Sequence, residues 1–299
     1  MRKTVDYSIQ KVAPGVFLVR GRNKGKFPSS CSVVIDSGRT ALIDAGCGEE
    51  ALAMIAGKWN LDFVILSHGH PDHCSGAYLF PADLLWCPRE SIDTTGNIRA
   101  MAERYVLHEL REEWIIFVKK EMGFKDFKIA NTFEDFHRFD LGGQLLEAFR
   151  CPGHTEDHYC FRLIGTGIVF STDIDLTSFG PWYANEESDI EKFKQSIRFL
   201  KNSRPDCVVS SHMGIIRQGI EEKFDRFLDA FDQRESRIIS SLDIPRSMEE
   251  LLDLALIYRK YPNRQRLLRG WETTMVKKHL DRLVRLGLVG QENGKYIKM

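Results

Sequence analysis

The chain has 299 residues, enough for one large domain or two smaller ones, and its apolar share of 43% and charged share of 28% are those of a soluble globular protein. No apolar run is long enough to span a membrane, and the N-terminal stretch lacks the apolar core of a signal peptide, so a cytoplasmic protein is expected. Seven scattered cysteines without a C-x-x-C pair argue against both a disulfide framework and a Cys-type structural zinc site. The 42 basic and 42 acidic residues balance, but the segment from Pro245 to Met299 holds 12 Lys/Arg against 6 Asp/Glu. That excess suits either a solvated helical surface or an anionic partner such as nucleic acid.

Val16–Val19, Cys31–Asp36 and Thr40–Asp44 are β-rich runs separated by turn residues, and they predict a meander. Asp44 closes the third run, either as a turn former or as a carboxylate that holds a neighbouring loop. Helical composition from Glu49 to Trp59 leads into a buried strand, Phe63–Leu66. Directly after it stands Ser67-His68-Gly69-His70-Pro71-Asp72-His73-Cys74. Three imidazoles and a carboxylate beside a buried strand are costly without a partner, and they suit zinc, iron or manganese. A catalytic ion takes about three protein ligands, so the fourth suggests a second ion.

Leu84–Cys87 predicts a further strand. Between about 91 and 135 the pattern turns helical. Met101, Tyr105, Val106, Leu110, Trp114, Phe117, Val118 and Met122 predict one amphipathic helix over 100–122. Its aromatic stripe reads as core or dimer interface, and His108 and His137 do not read as ligands.

Leu145–Phe149 is a strand entering Cys151-Pro152-Gly153-His154-Thr155-Glu156-Asp157-His158. A predicted hairpin over 159–171 ends in Thr172-Asp173, and a strand at 207–210 ends in Ser211-His212. His154, Asp173 and His212 thus each follow an apolar strand, which predicts one site at a sheet edge. Cys74 and Cys151 are expected beside it. His158 is open to three readings: a group behind the ligands, a general acid, or a packed histidine donating to a backbone carbonyl. Trp182 and Tyr183 could wall a substrate pocket, with the Tyr183 hydroxyl donating to an oxyanion, or they are loop packing. After a charged helix at 221–241, a helix start at Ser247, a helix over 273–286 and an Asn293-Gly294 hairpin suggest a winged-helix unit.

Taken together, H-x-H-x-D-H at 68–73, P-G-H-T at 152–155, Thr-Asp at 172–173 and Ser-His at 211–212 resemble the metallo-β-lactamase fold superfamily. The resemblance implies an αββα sandwich over residues 1–240 with a helical insertion at about 91–135. It also implies a two-metal site, most simply of zinc, with iron or manganese as alternatives. His68, His70 and His154 would hold one ion, Asp72, His73 and His212 the other, and Asp173 would bridge them. Asp72 would also orient the attacking hydroxide. The tail at 241–299 is similar to the winged helix of the β-lactamase-like protein 2 group, which includes an endoribonuclease, and the Glu156-Asp157 pair is similar to a quinolone-signal thioesterase. His279 falls on a helix of that tail as a packing residue. The expected activity is hydrolysis of a small ester, thioester or lactone. A single-strand endoribonuclease and a non-catalytic metal sensor are the alternatives, a glutathione-thioester hydrolase of the glyoxalase II type is a weaker one, and a homodimer is a further expectation.

Overall fold

The computed structural model describes residues 7–261 and 265–299. One sheet is built from β1 (Ser8–Ala13), β2 (Val16–Arg20), β3 (Cys31–Asp36), β4 (Thr40–Ile43), β5 (Phe63–Ile65), β6 (Leu85–Pro88) and β7 (Asn131–Phe133), neighbours in that order. The second is built from β8 (Arg138–Asp140), β9 (Leu145–Arg150), β10 (Tyr159–Leu163), β11 (Ile168–Thr172), β12 (Cys207–Ser210) and β13 (Gly214–Ile216), again in sequence order across the sheet. The helices are α1 (Glu49–Lys58), α2 (Pro71–Cys74), α3 (Ile98–Tyr105), α4 (Arg111–Met122), α5 (Ile190–Asn202), α6 (Ile220–Ser240), α7 (Met248–Leu252) and α8 (Gln265–Arg285). A last hairpin joins β14 (Val289–Glu292) to β15 (Lys295–Lys298).

The strands are apolar on both faces, and this makes a sandwich. Val33 and Ile35, Ala41 and Ile43, and Phe63 and Ile65 pack with Phe139, Tyr159, Phe161 and Phe170 of the second sheet. The alternate residues Val34, Leu42 and Val64 join a larger cluster with Leu52 and Ile55 of α1. Phe149, Val169 and Val208 of the second sheet join that cluster with Phe193 of α5 and Phe227 of α6. Two sheets face to face with helices outside are the expected αββα architecture.

One expectation is revised. The helix over 100–122 is two helices, because Val106 is extended and a 3-10 turn at 108–110 separates α3 from α4. The break lets Tyr105 and Val106 of one turn and Trp114 and Met122 of the other face the same cavity, which a straight rod would not allow. Trp271, Met275, Leu280 and Leu283 of α8 belong to the cluster that covers the outer sheet faces. Among the described residues, no helix is long and apolar enough to cross a membrane.

Candidate metal centre

All seven ligand candidates converge at one edge of the sandwich. Ligand atoms of His68, His70, His154 and Asp173 lie within 4.8 Å of one another, and so do those of Asp72, His73 and His212. His70 Nδ1 is 3.0 Å from His68 Nε2 and 2.9 Å from His154 Nε2. Asp173 Oδ2 is 3.1 Å from His154 Nε2 and 3.8 Å from His68 Nε2. Its other oxygen, Oδ1, is 2.9 Å from His73 Nε2 and 3.5 Å from His212 Nε2. Asp72 Oδ2 stands 3.5 Å from His212 Nε2 and 3.8 Å from His73 Nε2. Asp173 therefore turns one oxygen to each group, which is the geometry of a bridging carboxylate.

These residues fit divalent ions on several counts. Donor atoms sharing one tetrahedral ion sit about 3.3 Å apart, and the spacings above bracket that value. His73 Nε2 and Asp173 Oδ1 are buried and face each other at 2.9 Å without forming a well-directed hydrogen bond, an arrangement that a cation between them would complete. Burial pushes His73 down, yet the carboxylates of Asp173, Asp44 and Asp72 outweigh it and hold the imidazole well above its ordinary range. His212 is likewise lifted to about 9, against burial, by Asp173 and Asp72. His68 and His70 go the other way, driven down by burial and by the neighbouring imidazoles. His68 and His70 are thereby held in the neutral form that binds a metal, whereas the raised values of His73 and His212 mark a carboxylate field that favours a positive charge there, which an ion would supply in place of the protons.

Each imidazole is oriented from behind. Asp44 Oδ2 accepts from His73 Nδ1 at 2.7 Å, and its Oδ1 accepts from the Ser67 backbone N–H at 2.8 Å. Asp44 thus holds the 67–77 loop. Ser67 Oγ is 3.0 Å from His68 Nδ1. His154 Nδ1 donates to the Trp182 carbonyl at 2.8 Å, and His212 Nδ1 to the Gly25 carbonyl at 2.9 Å. His70 is turned the opposite way, with Nδ1 toward the cluster and Nε2 against the Asn185 amide at 2.8 Å. Asn185 is buried at 2% exposure and had no signal in the sequence.

His158 is the packed histidine. Its Nδ1–H donates to the Cys151 carbonyl at 2.8 Å, and its Nε2 accepts from the Asp173 backbone N–H at 3.1 Å and faces the Thr172 hydroxyl at 2.7 Å. Burial, and then His154, lower it to about 4. With both nitrogens engaged it positions Asp173 and is not placed to protonate a leaving group. Tyr183 also departs from the oxyanion reading. Trp182 lines the cavity, but Tyr183 faces away from it, where its hydroxyl donates to His279 Nε2 at 2.7 Å and its ring stacks on Phe231. His279 is a packing residue as expected. Cys74 and Cys151 are fully buried behind the ligands and are not part of the cavity wall.

The paired acids divide their labour. Asp157 is fully buried, accepts from the Gly69 N–H at 2.9 Å and pairs with Arg104 of α3 at 2.9 Å. Arg104 also bonds Glu187, so the insertion is clamped to both ligand loops. Glu156 sits at the surface with Arg150 and Lys192.

Above the ligands opens a cavity of about 410 Å³. Phe27, Tyr105, Trp114, Trp182, Tyr258 and Trp271 supply aromatic walls, Asp175 and Asn185 lie near the ligands, and Lys26 is the cation among the described lining residues. Burial raises Asp175 to about 6. Trp114, read in the sequence as core or interface, is thus a wall of the pocket.

A sandwich of this topology with histidine and aspartate donors at its strand ends is the framework of a metallohydrolase. The metallo-beta-lactamase superfamily model matches residues 25–212, and the chain belongs to that superfamily. Similar proteins include an atrochrysone carboxyl ACP thioesterase from Passalora fulva, 26% identical over 243 residues, covering 78% of this chain. The chain spans only 63% of that thioesterase's own length. A beta-lactamase-like protein 2 homolog from Caenorhabditis elegans is 21% identical over 291 residues, covering 94% of this chain and 88% of the relative. Among solved structures, a metallo-beta-lactamase family protein from Thermus thermophilus superposes with TM-score 0.72 at 19% identity, covering 97% of this chain and 100% of that one.

Proposed function

We propose that the protein hydrolyses a small thioester or ester with an apolar acyl group, using two divalent metal ions, most simply zinc. The observation that carries this reading is a basin of seven metal-type donors opening directly into a cavity walled by aromatic side chains. His68, His70 and His154 would hold one ion, Asp72, His73 and His212 the second, with Asp173 between them. Bound there, the ions supply a hydroxide at neutral pH and polarise the carbonyl under attack. The chain's own residues do the rest. Asp72, at the cavity floor, would accept a hydrogen bond from the attacking hydroxide and so aim its lone pair at the carbonyl. Trp182 and Tyr105 flank His70 at 5.6 and 4.8 Å and exclude water from the acyl face. Lys26 at the cavity attracts an anionic leaving portion. That the thioesterase relatives act on carrier-linked acyl groups agrees in reaction class.

The nuclease alternative draws less support. Three of the tail cations are held by the chain itself: Arg269 by Glu249 and Asp253, Arg282 by Glu191 and Glu235, and Lys278 by the carbonyls of Glu186 and Ser188. The deciding experiment is a panel of acyl thioesters, esters, lactones and single-stranded RNA, run before and after chelation and after zinc is restored. Chelator-sensitive turnover of a thioester or ester is expected. Absence of such turnover across the acyl panel, or RNA cleavage that vanishes in Asp72→Ala, would reject the reading.

A further inference from the structure

The wall of the cavity farthest along the chain comes from the C-terminal segment, and it has a defined structure. Trp182 packs beside His154, ring centroids 5.6 Å apart. Trp271 of α8 meets Trp182 edge to face at 5.9 Å. On its other sides Trp271 meets Phe27 at 6.0 Å and Phe117 at 6.4 Å. Two ring-to-ring steps thus separate a ligand histidine from Trp271. The indole is braced by three aromatic rings and is 8% exposed. Such bracing holds a side chain in one rotamer, so Trp271 is a stiff wall.

The helix that carries it is also fixed. Gly270 lets Leu110 of the insertion approach so closely that a Cβ there would lie 2.1 Å from Leu110 Cδ1. Lys278 ties α8 to the Glu186 and Ser188 carbonyls, and His279 ties it to Tyr183. Trp182 in turn donates its indole N–H to the Tyr258 hydroxyl at 2.9 Å. Asp72 and Asp173 are ligand candidates and Asn185 bonds His70, whereas Leu268 and Trp271 add apolar surface to the lining, Trp271 one ring beyond Trp182.

We propose that Trp271, braced by Phe27, Phe117 and Trp182, sets the maximum length of the acyl group, so that the C-terminal segment is the specificity element of the active site. This deepens the acyl-hydrolase reading and rests on it. A straight acyl chain seated with its carbonyl at the ligands runs along the aromatic wall and stops at the indole. Chains short of Trp271 gain with every methylene buried. Longer ones must displace a locked ring.

The test uses the full-length, metal-loaded protein and straight-chain thioesters of N-acetylcysteamine from acetyl to dodecanoyl. In the wild type, kcat/KM is expected to rise with length and then fall sharply, by about tenfold or more per added methylene pair at the cut-off. Trp271→Ala should move the cut-off to longer chains, with Trp271→Phe between the two. Phe27 is 46% exposed and sits in a loop, so Phe27→Ala is the variant least disturbing to the fold, and it should soften the cut-off by freeing the indole. Equilibrium binding of linear carboxylates of the same lengths, read by tryptophan fluorescence, reports the pocket's length without turnover. If no thioester here and no member of the wider acyl panel is hydrolysed, the acyl-hydrolase reading fails while the binding series still decides the role of Trp271. Profiles for Trp271→Phe and Phe27→Ala that run parallel to the wild type, lower at every length by one common factor, would make Trp271 merely structural and overturn the proposal.

Discussion

The metal basin and the aromatic cavity above it are built on different principles. Every donor in the basin follows a strand within a few residues, from β5 for the 68–73 set to β9, β11 and β12 for His154, Asp173 and His212. The cavity walls come from a loop at 26–27, the insertion, the segment at 175–182 and the C-terminal region. The sheets therefore fix the chemistry, and elements outside them fix what reaches it. The two are nonetheless joined at three points, because the Gly25 carbonyl, the Trp182 carbonyl and the Asn185 amide each hold one ligand histidine while their segments line or border the cavity. A change in a wall can thus reach the ligands through backbone, through Asn185, or through the Tyr105 and Trp182 rings that pack on His70 and His154.

The largest effect expected from breaking the basin is that of Asp173→Ala. Both groups of donors lose their shared carboxylate, so bound metal measured by elemental analysis should fall by at least one ion per chain. Turnover should drop by a thousandfold or more, about 4 kcal/mol of barrier. Retention of full metal content would show that the two groups do not share a bridge. A smaller loss is expected for Asp44→Asn. Asp44 has φ of 59°, a left-handed conformation that asparagine tolerates. The substitution keeps the backbone but sets an NH2 against a donor, since Asp44 accepts from Ser67 N–H, Ser67 Oγ and His73. Metal affinity should weaken by about 10–100-fold. A chelator competition curve unchanged from wild type would mean that Asp44 serves only the turn.

The same contrast governs what the sequence made legible. The donors could be read because their spacing is local: His68, His70, Asp72 and His73 lie within six positions after one apolar run, and the remaining three each end a strand. The sandwich was legible for a related reason, as strands apolar on both faces must be covered twice. The walls were not. Trp271 lies 89 positions beyond Trp182 by residue number, and nothing in the periodicity of α8 marks it off from Trp114 or from ordinary core. Trp182 and Tyr183 looked equivalent as adjacent aromatics of one loop, and only tertiary packing decides which faces inward. The break between α3 and α4 was hidden as well, since Leu107-His108-Glu109-Leu110 contains no glycine or proline to announce it.

Trp182→Phe separates wall from ligand at one residue. The carbonyl that holds His154 belongs to the backbone and stays, whereas the indole N–H bond to Tyr258 and part of the ring are lost. Metal content should be unchanged. KM should rise several-fold with kcat within about threefold of wild type, the pattern of lost uniform binding. A fall in metal content would show that the ring also sets the position of the carbonyl.

The smallest effect tests the seam between the C-terminal helix and the segment that carries Trp182. His279 is fully buried, accepts from the Tyr183 hydroxyl through Nε2 and faces Glu235 through Nδ1 at 3.3 Å. Burial lowers its pKa despite that carboxylate. The folded protein therefore keeps His279 neutral at a pH where the unfolded chain, with an ordinary value of about 6.5, already takes up a proton. Below about pH 6.5 the unfolded state binds more protons, so stability declines as pH falls, by at most about 1.4 kcal/mol per unit, until the folded pKa is passed. His279→Gln retains an acceptor for Tyr183 and removes the titration. Its urea midpoint should lie below the wild type's at pH 8, and the gap should close by about pH 5.5. Parallel decline of the two midpoints would mean that the proton goes elsewhere and that the seam is held by Lys278 and Arg282 alone.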